Sequence, residues 1–132
     1  MSDTGLVCSN VRVTYPEFTL SLDLEVRQGE LVIIIGPSGC GKSTSLQLIT
    51  GLIPCESGSI SLNGLDITST PVWERNIGMV FQDYALFPHL DVAQNIAYSL
   101  RLKKMRKRER TAKVASLLEL VGLEGYGNRK IA

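Results

Sequence analysis

The chain reads Gly36-Pro37-Ser38-Gly39-Cys40-Gly41-Lys42-Ser43-Thr44, which fills every fixed position of the phosphate-binding loop pattern G-x-x-x-x-G-K-[ST]. The apolar run at residues 31–35 comes directly before this loop and predicts a buried strand. Residues 45–50 follow the loop and predict a helix, and Gly51 is placed to end it. A strand before the pattern and a helix after it distinguish a real phosphate loop from a chance match, so we interpret residues 36–44 as one.

The residue types in the loop suit a nucleoside triphosphate with its magnesium ion. Glycines let backbone N–H groups approach the phosphates, and the N-terminus of the following helix adds unpaired donors and partial positive charge. We expect Lys42 to reach the β- and γ-phosphates and the Ser43 hydroxyl to ligate Mg²⁺. All residues from 36 to 44 are therefore candidate ATP-binding residues. Cys40 among them is either a small loop filler or a thiol whose modification would block nucleotide binding.

Length and composition restrict the class of protein. The chain has 132 residues and a formal net charge of +1, which fits one ordinary globular domain. No apolar run reaches the roughly 18 to 20 residues of a membrane-spanning helix, and residues 1–5 lack the features of a signal peptide. The three cysteines, Cys8, Cys40 and Cys55, show no metal-ligand spacing and no disulfide framework, which is typical of a reducing cytosol.

Strands are predicted on both sides of the loop. Residues 11–15 read as a short strand, and residues 18–26 alternate apolar with polar side chains, so we expect an antiparallel section with one buried face. A short strand at residues 59–62 leads into the tight-turn pair Asn63-Gly64. Residues 77–81 predict a second apolar strand.

The last third of the sequence is predicted to be helical. Asp91 is placed to cap a helix over residues 92–100. A second helix over residues 107–121 has apolar side chains at helical spacing, and Gly122 is placed to end it.

Basic residues are concentrated in one part of this helical region. Eight of the 14 basic residues are Arg101, Lys103, Lys104, Arg106, Lys107, Arg108, Arg110 and Lys113. A solvated helix connection is one interpretation, and a surface for nucleic acid or membrane is the other. Because no aromatic side chains are interleaved to stack on bases, we expect no nucleic-acid partner.

A second motif selects among the phosphate-loop families. It reads Ile77-Gly78-Met79-Val80-Phe81-Gln82-Asp83-Tyr84-Ala85-Leu86-Phe87-Pro88-His89-Leu90 and continues into Asp91-Val92-Ala93-Gln94-Asn95-Ile96. With Tyr15 upstream of the phosphate loop, this motif resembles the ATP-binding subunits of ABC transporters. It looks most like those of bacterial importers for polyamines, iron(III), sulfate or maltose-type sugars. The resemblance covers residues 6–129.

The resemblance implies an α/β P-loop NTPase fold of the ABC type, present in part. Residues 1–87 would form an antiparallel β-subdomain and the P-loop core, and residues 88–132 the end of the Q-loop and the start of a helical subdomain. It also implies that the intact ATPase is a homodimer, peripheral to the cytoplasmic face of the inner membrane. Transmembrane subunits would bind through residues 82–90, and ATP with Mg²⁺ would drive solute import.

The resemblance also implies individual roles. Tyr15 would match the A-loop aromatic that stacks on adenine, unless it packs on its own strand. Gln82 would match the Q-loop glutamine that contacts Mg²⁺ or the attacking water, and the alternative is an exposed loop residue. Phe87 and Leu90 would either contact the transmembrane partner or pack under their own loop. Asp83 is a poor metal-site candidate, since Gln82 separates it from the apolar run.

Three catalytic segments of the resembled family do not occur in the sequence. There is no LSGGQ-like signature and no later apolar strand that ends in Asp-Glu (the Walker B motif), and His89 does not match the switch histidine. We therefore expect an N-terminal portion of a longer protein, with no complete catalytic set, that binds ATP without meaningful hydrolysis. The alternatives are a guanylate-kinase-like nucleotide kinase, which the two upstream strands and Tyr15 disfavour, and a non-catalytic short form that binds the membrane subunit.

Overall fold

The computed structural model describes residues 4–131, and the chain divides into two compact units, Met1–Met79 and Val80–Ala132. Within the described range, the first unit carries an antiparallel sheet and one α-helix, and the second carries two α-helices. The division falls inside residues 1–87, the part that the resemblance assigns to the β-subdomain and P-loop core. That assignment stays a prediction.

The sheet of the first unit has the strand order β2-β1-β3-β4, and every neighbouring pair is antiparallel. Its strands are β1 (Thr4–Thr14), β2 (Thr19–Arg27), β3 (Ser57–Leu62) and β4 (Leu65–Asp66). The predicted turn pair Asn63-Gly64 joins β3 to β4, with φ angles of 52° and 80°. The antiparallel section expected from the sequence is therefore confirmed.

Strand β1 extends further towards the N-terminus than the predicted residues 11–15. A register shift between Cys8 and Val11 breaks its pairing with β2, and Asn10 within it has a positive φ of 49°. The Asn10 N–H donates to Asp23 Oδ1 at 2.6 Å instead of pairing in the ladder. A bulge of this kind bends a strand without ending it, so β1 continues to Thr4.

The core of the first unit lies between one face of the sheet and α1 (Lys42–Thr50). Along β2, half-buried and exposed side chains alternate, which confirms the predicted period of two. Gly51 ends α1 in a left-handed conformation (φ 83°), as predicted, and a 3₁₀ turn follows at Val72–Glu74. The buried apolar residues are Cys8, Val11, Val13, Leu48, Ile49, Ile60 and Ile67.

Two predicted strands do not form among the described residues. Residues 31–35 and 77–81 are not in strands, and in the first segment Leu31 and Ile35 are 86% and 88% exposed. An apolar run shows only that a segment is suited to burial, whereas a strand also needs neighbours for its N–H and C=O groups. Since no strand within residues 4–131 pairs with either segment, the prediction of two buried strands is wrong in this range.

The second unit contains the two predicted helices, α2 (Val92–Leu102) and α3 (Lys107–Leu120). Asp91 caps α2 in a capping box, since its Oδ1 accepts the Gln94 N–H at 2.7 Å and Gln94 Oε1 accepts the Asp91 N–H at 3.0 Å. On α3, Val114 and Leu118 are buried. A search of the described helices finds none with the length and apolar character to span a bilayer.

Candidate nucleotide-binding site

The phosphate loop leads directly into α1, and close contacts fix two of its glycines. Gly41 is the N-cap of α1 with a φ of 99°, a left-handed conformation that favours glycine. A Cβ atom on Gly41 would lie 2.8 Å from Leu20 Cδ1, so the loop packs directly against β2. A Cβ atom on Gly36 would lie 2.7 Å from Cys40 Sγ. A side chain at Gly41 is therefore disfavoured by both its conformation and its contact with Leu20, whereas one at Gly36 would require the Cys40 side chain to move.

The N-terminus of α1 is open to an anion. No side chain caps it, and no acidic residue lies in its first turn. The Ser45 N–H and hydroxyl both donate to Gly41 O at 2.9 Å, which fixes the first turn from within. In the second unit the N-terminus of α2 is closed, because its first N–H groups donate to Asp91, Gly127 and Arg129. Of these two helix ends, only that of α1 keeps its backbone donors for a phosphate.

The Lys42 ammonium lies across its own loop. Nζ donates to Gly36 O and to Pro37 O, both at 2.7 Å, and lies 3.6 Å from Cys40 Sγ. These short charge-assisted bonds connect the start of the loop to the start of α1 and place a full positive charge beside the open helix end. Lys42 and Cys40 therefore lie close together in the loop, and contact of Lys42 with the β- and γ-phosphates stays a prediction.

Arg75 holds the other end of α1, and the sequence analysis did not identify it. It is only 6% exposed. Its Nη1 donates to Leu48 O at 3.1 Å and to Ile49 O at 3.0 Å, two carbonyls in the last turn of the helix, of which Leu48 O also accepts the Gly51 N–H. A guanidinium at this end also interacts favourably with the helix dipole.

The same guanidinium connects α1 to the segment after β4. Arg75 Nε donates to Thr70 O at 2.8 Å, and Nη2 donates to Thr68 O at 3.0 Å. Four carbonyl oxygens therefore converge on one planar group, in the fixed fork geometry that lysine lacks. No sequence pattern indicated this role, since Arg75 follows a short 3₁₀ turn in a polar segment and its partners are backbone atoms.

Tyr15 lies in the hairpin turn between β1 and β2. Its ring stacks on that of Phe18, with the centroids 5.0 Å apart and the planes at 25°, and its N–H donates to Phe18 O at 2.8 Å. Leu20 of the same hairpin is the residue that approaches Gly41. The hairpin therefore borders the phosphate loop, and stacking of Tyr15 on an adenine stays a prediction.

The described residues do not contain a protein-only metal site. Within residues 4–131, no group of three or more His, Cys, Asp or Glu side chains could hold an ion. Ser43 lies exposed in the first turn of α1 and carries a hydroxyl beside the open helix end. Mg²⁺ keeps several waters and is often bound through substrate phosphates. The residues present thus fit a magnesium ion that arrives with a nucleotide.

Comparison with known proteins identifies the family. A family model described as ABC transporter matches residues 20–132, most of the chain. The chain belongs to the ABC transporter family. The α/β P-loop fold of ABC type, present in part, is therefore confirmed.

Three relatives of this ABC-family chain are named as import ATP-binding proteins. A sulfate/thiosulfate import ATP-binding protein of Gloeobacter violaceus is 52% identical over 127 residues, which are 95% of this chain and 37% of the relative. A Fe(3+) ions import ATP-binding protein of Agrobacterium fabrum is 45% identical over 127 residues, 95% of this chain and 36% of the relative. A spermidine/putrescine import ATP-binding protein of Methylococcus capsulatus is 48% identical over 108 residues, 82% of this chain and 28% of the relative. The chain spans about a third of the length of these relatives.

Gln82, the Q-loop candidate of this ABC-family chain, lies in the second unit. It is exposed in a segment of turns, where Tyr84 and Ala85 have positive φ angles of 63° and 47°. Left-handed conformations at two consecutive non-glycine residues are uncommon and often occur at functional sites. Since Gln82 and the phosphate loop belong to different units, contact between Gln82 and a nucleotide or metal ion stays a prediction.

Asn95 organises the segment that precedes α2, a role that the sequence analysis missed. Its Oδ1 accepts the Phe87 N–H at 2.9 Å, and its Nδ2 donates to the carbonyl oxygens of Phe87, Leu90 and Asp91 at 3.2, 3.3 and 2.9 Å. The ring centroids of Phe87 and Tyr98 lie 4.4 Å apart. One amide side chain thus fixes the backbone of the predicted docking segment against α2.

A groove of about 390 Å³ lies beside this segment. Its walls carry both apolar and basic side chains, from the segment before α2 and from α2 itself. The lining residues are His89, Leu90, Tyr98, Arg101 and Leu102.

Proposed function

We propose that this chain is the ATP-binding portion of an ABC import ATPase. The observation that carries the proposal is the open N-terminus of α1 behind a fully matched phosphate loop, with the Lys42 ammonium beside it. The names of the relatives support the importer class. Because those relatives are named for three different solutes, the proposal covers import as a class and no particular solute.

In the proposed complex, ATP binds with its phosphates at residues 36–44. Lys42 leaves its loop carbonyls to bind the β- and γ-phosphates, and backbone N–H groups of the loop and of α1 surround them. Ser43 and Gln82 supply oxygen ligands to the Mg²⁺ that accompanies the nucleotide, and Tyr15 stacks on the adenine. Each of these groups neutralises charge or holds the nucleotide in position.

The proposal also assigns the docking of membrane partners. Residues 82–90 and the groove beside them would receive a transmembrane subunit at the cytoplasmic face of the membrane. Phe87 is held by Asn95, and Leu90 lines the groove, so a partner would meet a preformed surface. The intact ATPase would act as a homodimer and couple ATP binding and hydrolysis to solute import.

The proposal separates binding from hydrolysis. Phosphoryl transfer requires a group that positions the attacking water and groups that stabilise charge. The loop supplies the Lys42 ammonium, but the 132 residues contain no later apolar strand that ends in Asp-Glu and could position the attacking water. We therefore propose that the 132-residue chain binds ATP with Mg²⁺ and does not turn it over at a meaningful rate.

Binding of a fluorescent ATP analogue to the 132-residue chain tests this proposal. We expect saturable, Mg²⁺-dependent binding that Lys42→Ala weakens about tenfold or more, since a hydrogen bond to a charged group contributes roughly 1.5–3 kcal/mol. Lys113→Ala, which removes an exposed lysine of α3, is the matched control and should bind like the unaltered chain. Equal affinity of the two variants would contradict the assignment of the loop.

Phosphate release tests the hydrolysis claim separately. We expect no steady-state release that depends on Lys42. Release that disappears in Lys42→Ala would overturn the claim while leaving the binding assignment intact. Formation of ADP that requires GMP would favour a nucleotide kinase instead.

A further inference from the structure

The basic surface is a feature that nucleotide binding does not use. It consists of the eight basic residues between positions 101 and 113, and all of them are exposed except Arg110, which is half-buried. Glu109 is the only acidic residue in this stretch. Arg101 lies in the last turn of α2, three of the basic residues lie between the two helices, and four lie in the first two turns of α3. The result is a dense positive patch on one part of the second unit.

The dipole of α2 accounts for Arg101 in its last turn, but helix stability does not explain the charges at the start of α3. Arg106 is the N-cap of α3 and makes no side-chain cap hydrogen bond, and Lys107 and Arg108 are the first two residues of the helix. Cations at a helix N-terminus oppose the helix dipole, and acidic or capping residues are preferred there. Residues that act against the local helix energetics point to a partner outside the chain.

We propose that the basic surface docks on the headgroups of anionic phospholipids. Positive charge attracts the negative surface of a cytoplasmic leaflet, and Leu102, which is 69% exposed at the end of α2, adds an apolar side chain to the same region. Within residues 101–113 there is no aromatic side chain to stack on a base, which disfavours single-stranded nucleic acid. The choice of a membrane as partner rests on the proposed function, which brings the chain to the membrane face.

A groove between α2 and α3 offers a place for one headgroup phosphate. Its volume is about 290 Å³, and both Arg101 and Arg110 line it together with Thr111. Guanidinium groups bind phosphate through paired N–H donors. Asp91 also lines the groove and brings one negative charge, against the two positive charges of Arg101 and Arg110.

Flotation with vesicles tests this inference on the 132-residue chain. Vesicles of one third phosphatidylglycerol in phosphatidylcholine are compared with pure phosphatidylcholine vesicles, at low and at physiological salt. Flotation is preferred to sedimentation because aggregated protein sediments but does not rise with vesicles. We expect about tenfold more floated protein with the anionic vesicles and a decrease with salt.

Two charge-reversal variants make the test specific. Lys107→Glu with Arg108→Glu places acidic residues where the dipole of α3 favours them, so the helix is preserved. This variant is expected to lose most of the flotation. Arg12→Glu with Arg27→Glu changes the net charge equally at exposed positions in the first unit and should float like the unaltered chain. Equal loss of flotation in both variants would show that net charge alone determines binding to the vesicles, and would overturn the proposal.

Two further outcomes distinguish lipid from nucleic acid as the partner, and this inference from the proposed function. Tighter binding to a single-stranded RNA than to anionic vesicles would show that the basic surface binds nucleic acid and would overturn the lipid proposal. ATP-analogue binding is measured on the same preparations of the unaltered chain. If that chain binds the analogue but does not float with anionic vesicles, this inference alone is refuted. If it floats but does not bind the analogue, the proposed function alone is refuted.

Discussion

The Nη1 atom of Arg75 donates a 3.1 Å hydrogen bond to the carbonyl oxygen of Leu48, in the last turn of the helix whose first turn holds the phosphate loop. Arg75 is buried, and its other donors bind the carbonyls of Ile49, Thr68 and Thr70. The position of α1 is thus fixed at its C-terminal end by one side chain and at its N-terminal end by the packing of Gly41 on β2. A helix held at both ends keeps its backbone donors in one place for an incoming phosphate.

Replacement of Arg75 should destabilise the first unit strongly. In Arg75→Met four carbonyl oxygens lose a charged donor, and we expect the free energy of unfolding to fall by about 3 kcal/mol. Arg75→Lys keeps the charge without the fork and should lose less. Urea unfolding measures both. Arg12→Met, an exposed position on β1, is the control and should change stability by no more than about 0.5 kcal/mol. Equal stability of the Arg75 and Arg12 variants would show that the hydrogen bonds contribute nothing.

Substitution of Gly51, the residue that ends α1, tests the contact between α1 and Arg75 without changing Arg75 itself. A Cβ atom on Gly51 would lie 2.5 Å from Arg75 Nε, and the φ angle of 83° already disfavours a side chain. Gly64 has a similar φ of 80° with no atom within 4 Å of a Cβ. Gly64→Ala therefore measures the cost of the conformation alone, about 1 kcal/mol. We expect Gly51→Ala to cost about 2 kcal/mol more in urea unfolding, and equal costs would argue against the close contact.

Cys40 should be the reactive thiol of the chain, and ATP should protect it. Cys40 is exposed on the phosphate loop, whereas Cys8 is buried in the core. We expect a maleimide to modify Cys40 before Cys8 and ATP with Mg²⁺ to slow the reaction at least about tenfold near saturation. Mass spectrometry of digested protein locates the adduct. A rate that is indifferent to ATP would mean that nucleotide does not cover the loop.

Ionisation of the Cys8 thiol should lower the stability of the first unit at alkaline pH. Burial, and to a smaller extent Asp23 and Cys55, raises the pKa of the Cys8 thiol from 9.0 to about 11. Because the folded pKa is the higher one, the associated stability is fully present below pH 9 and is lost as the pH rises towards 11. At pH 10 the loss is about 1.4 kcal/mol. Urea unfolding at pH 7 and pH 10 should show this loss relative to Cys8→Ala, and equal pH dependence of the two proteins would refute it.

Local patterns predicted several parts of the structure well. The phosphate loop fills a fixed pattern, the alternation in β2 repeats every two residues, and Asp91 is a standard N-cap followed by Gln94 at the right distance. These features depend on residues that are close together in the sequence. The antiparallel section, the helix after the loop and both helices of the second unit follow from such signals.

Long-range hydrogen bonds and strand pairing could not be predicted from the sequence. Arg75 binds backbone carbonyls 26 and 27 residues away, and backbone atoms leave no pattern in a sequence. Residues 31–35 are as apolar as a buried strand, but apolar character does not reveal whether neighbouring strands are there to pair with it. Asn95 was likewise unremarkable as a sequence position, although its amide fixes four backbone groups, on Phe87, Leu90 and Asp91.

The two carbonyl bonds of Lys42 have a further consequence for affinity. Because Gly36 O and Pro37 O already accept from the ammonium at 2.7 Å, an arriving phosphate must replace existing partners. Nucleotide binding at this lysine is therefore an exchange reaction, and only the difference between phosphate and carbonyl as acceptors adds to the binding free energy. Such an exchange discriminates by acceptor strength: a weakly charged anion gains little over the two carbonyls, whereas a polyphosphate with several charges gains much more.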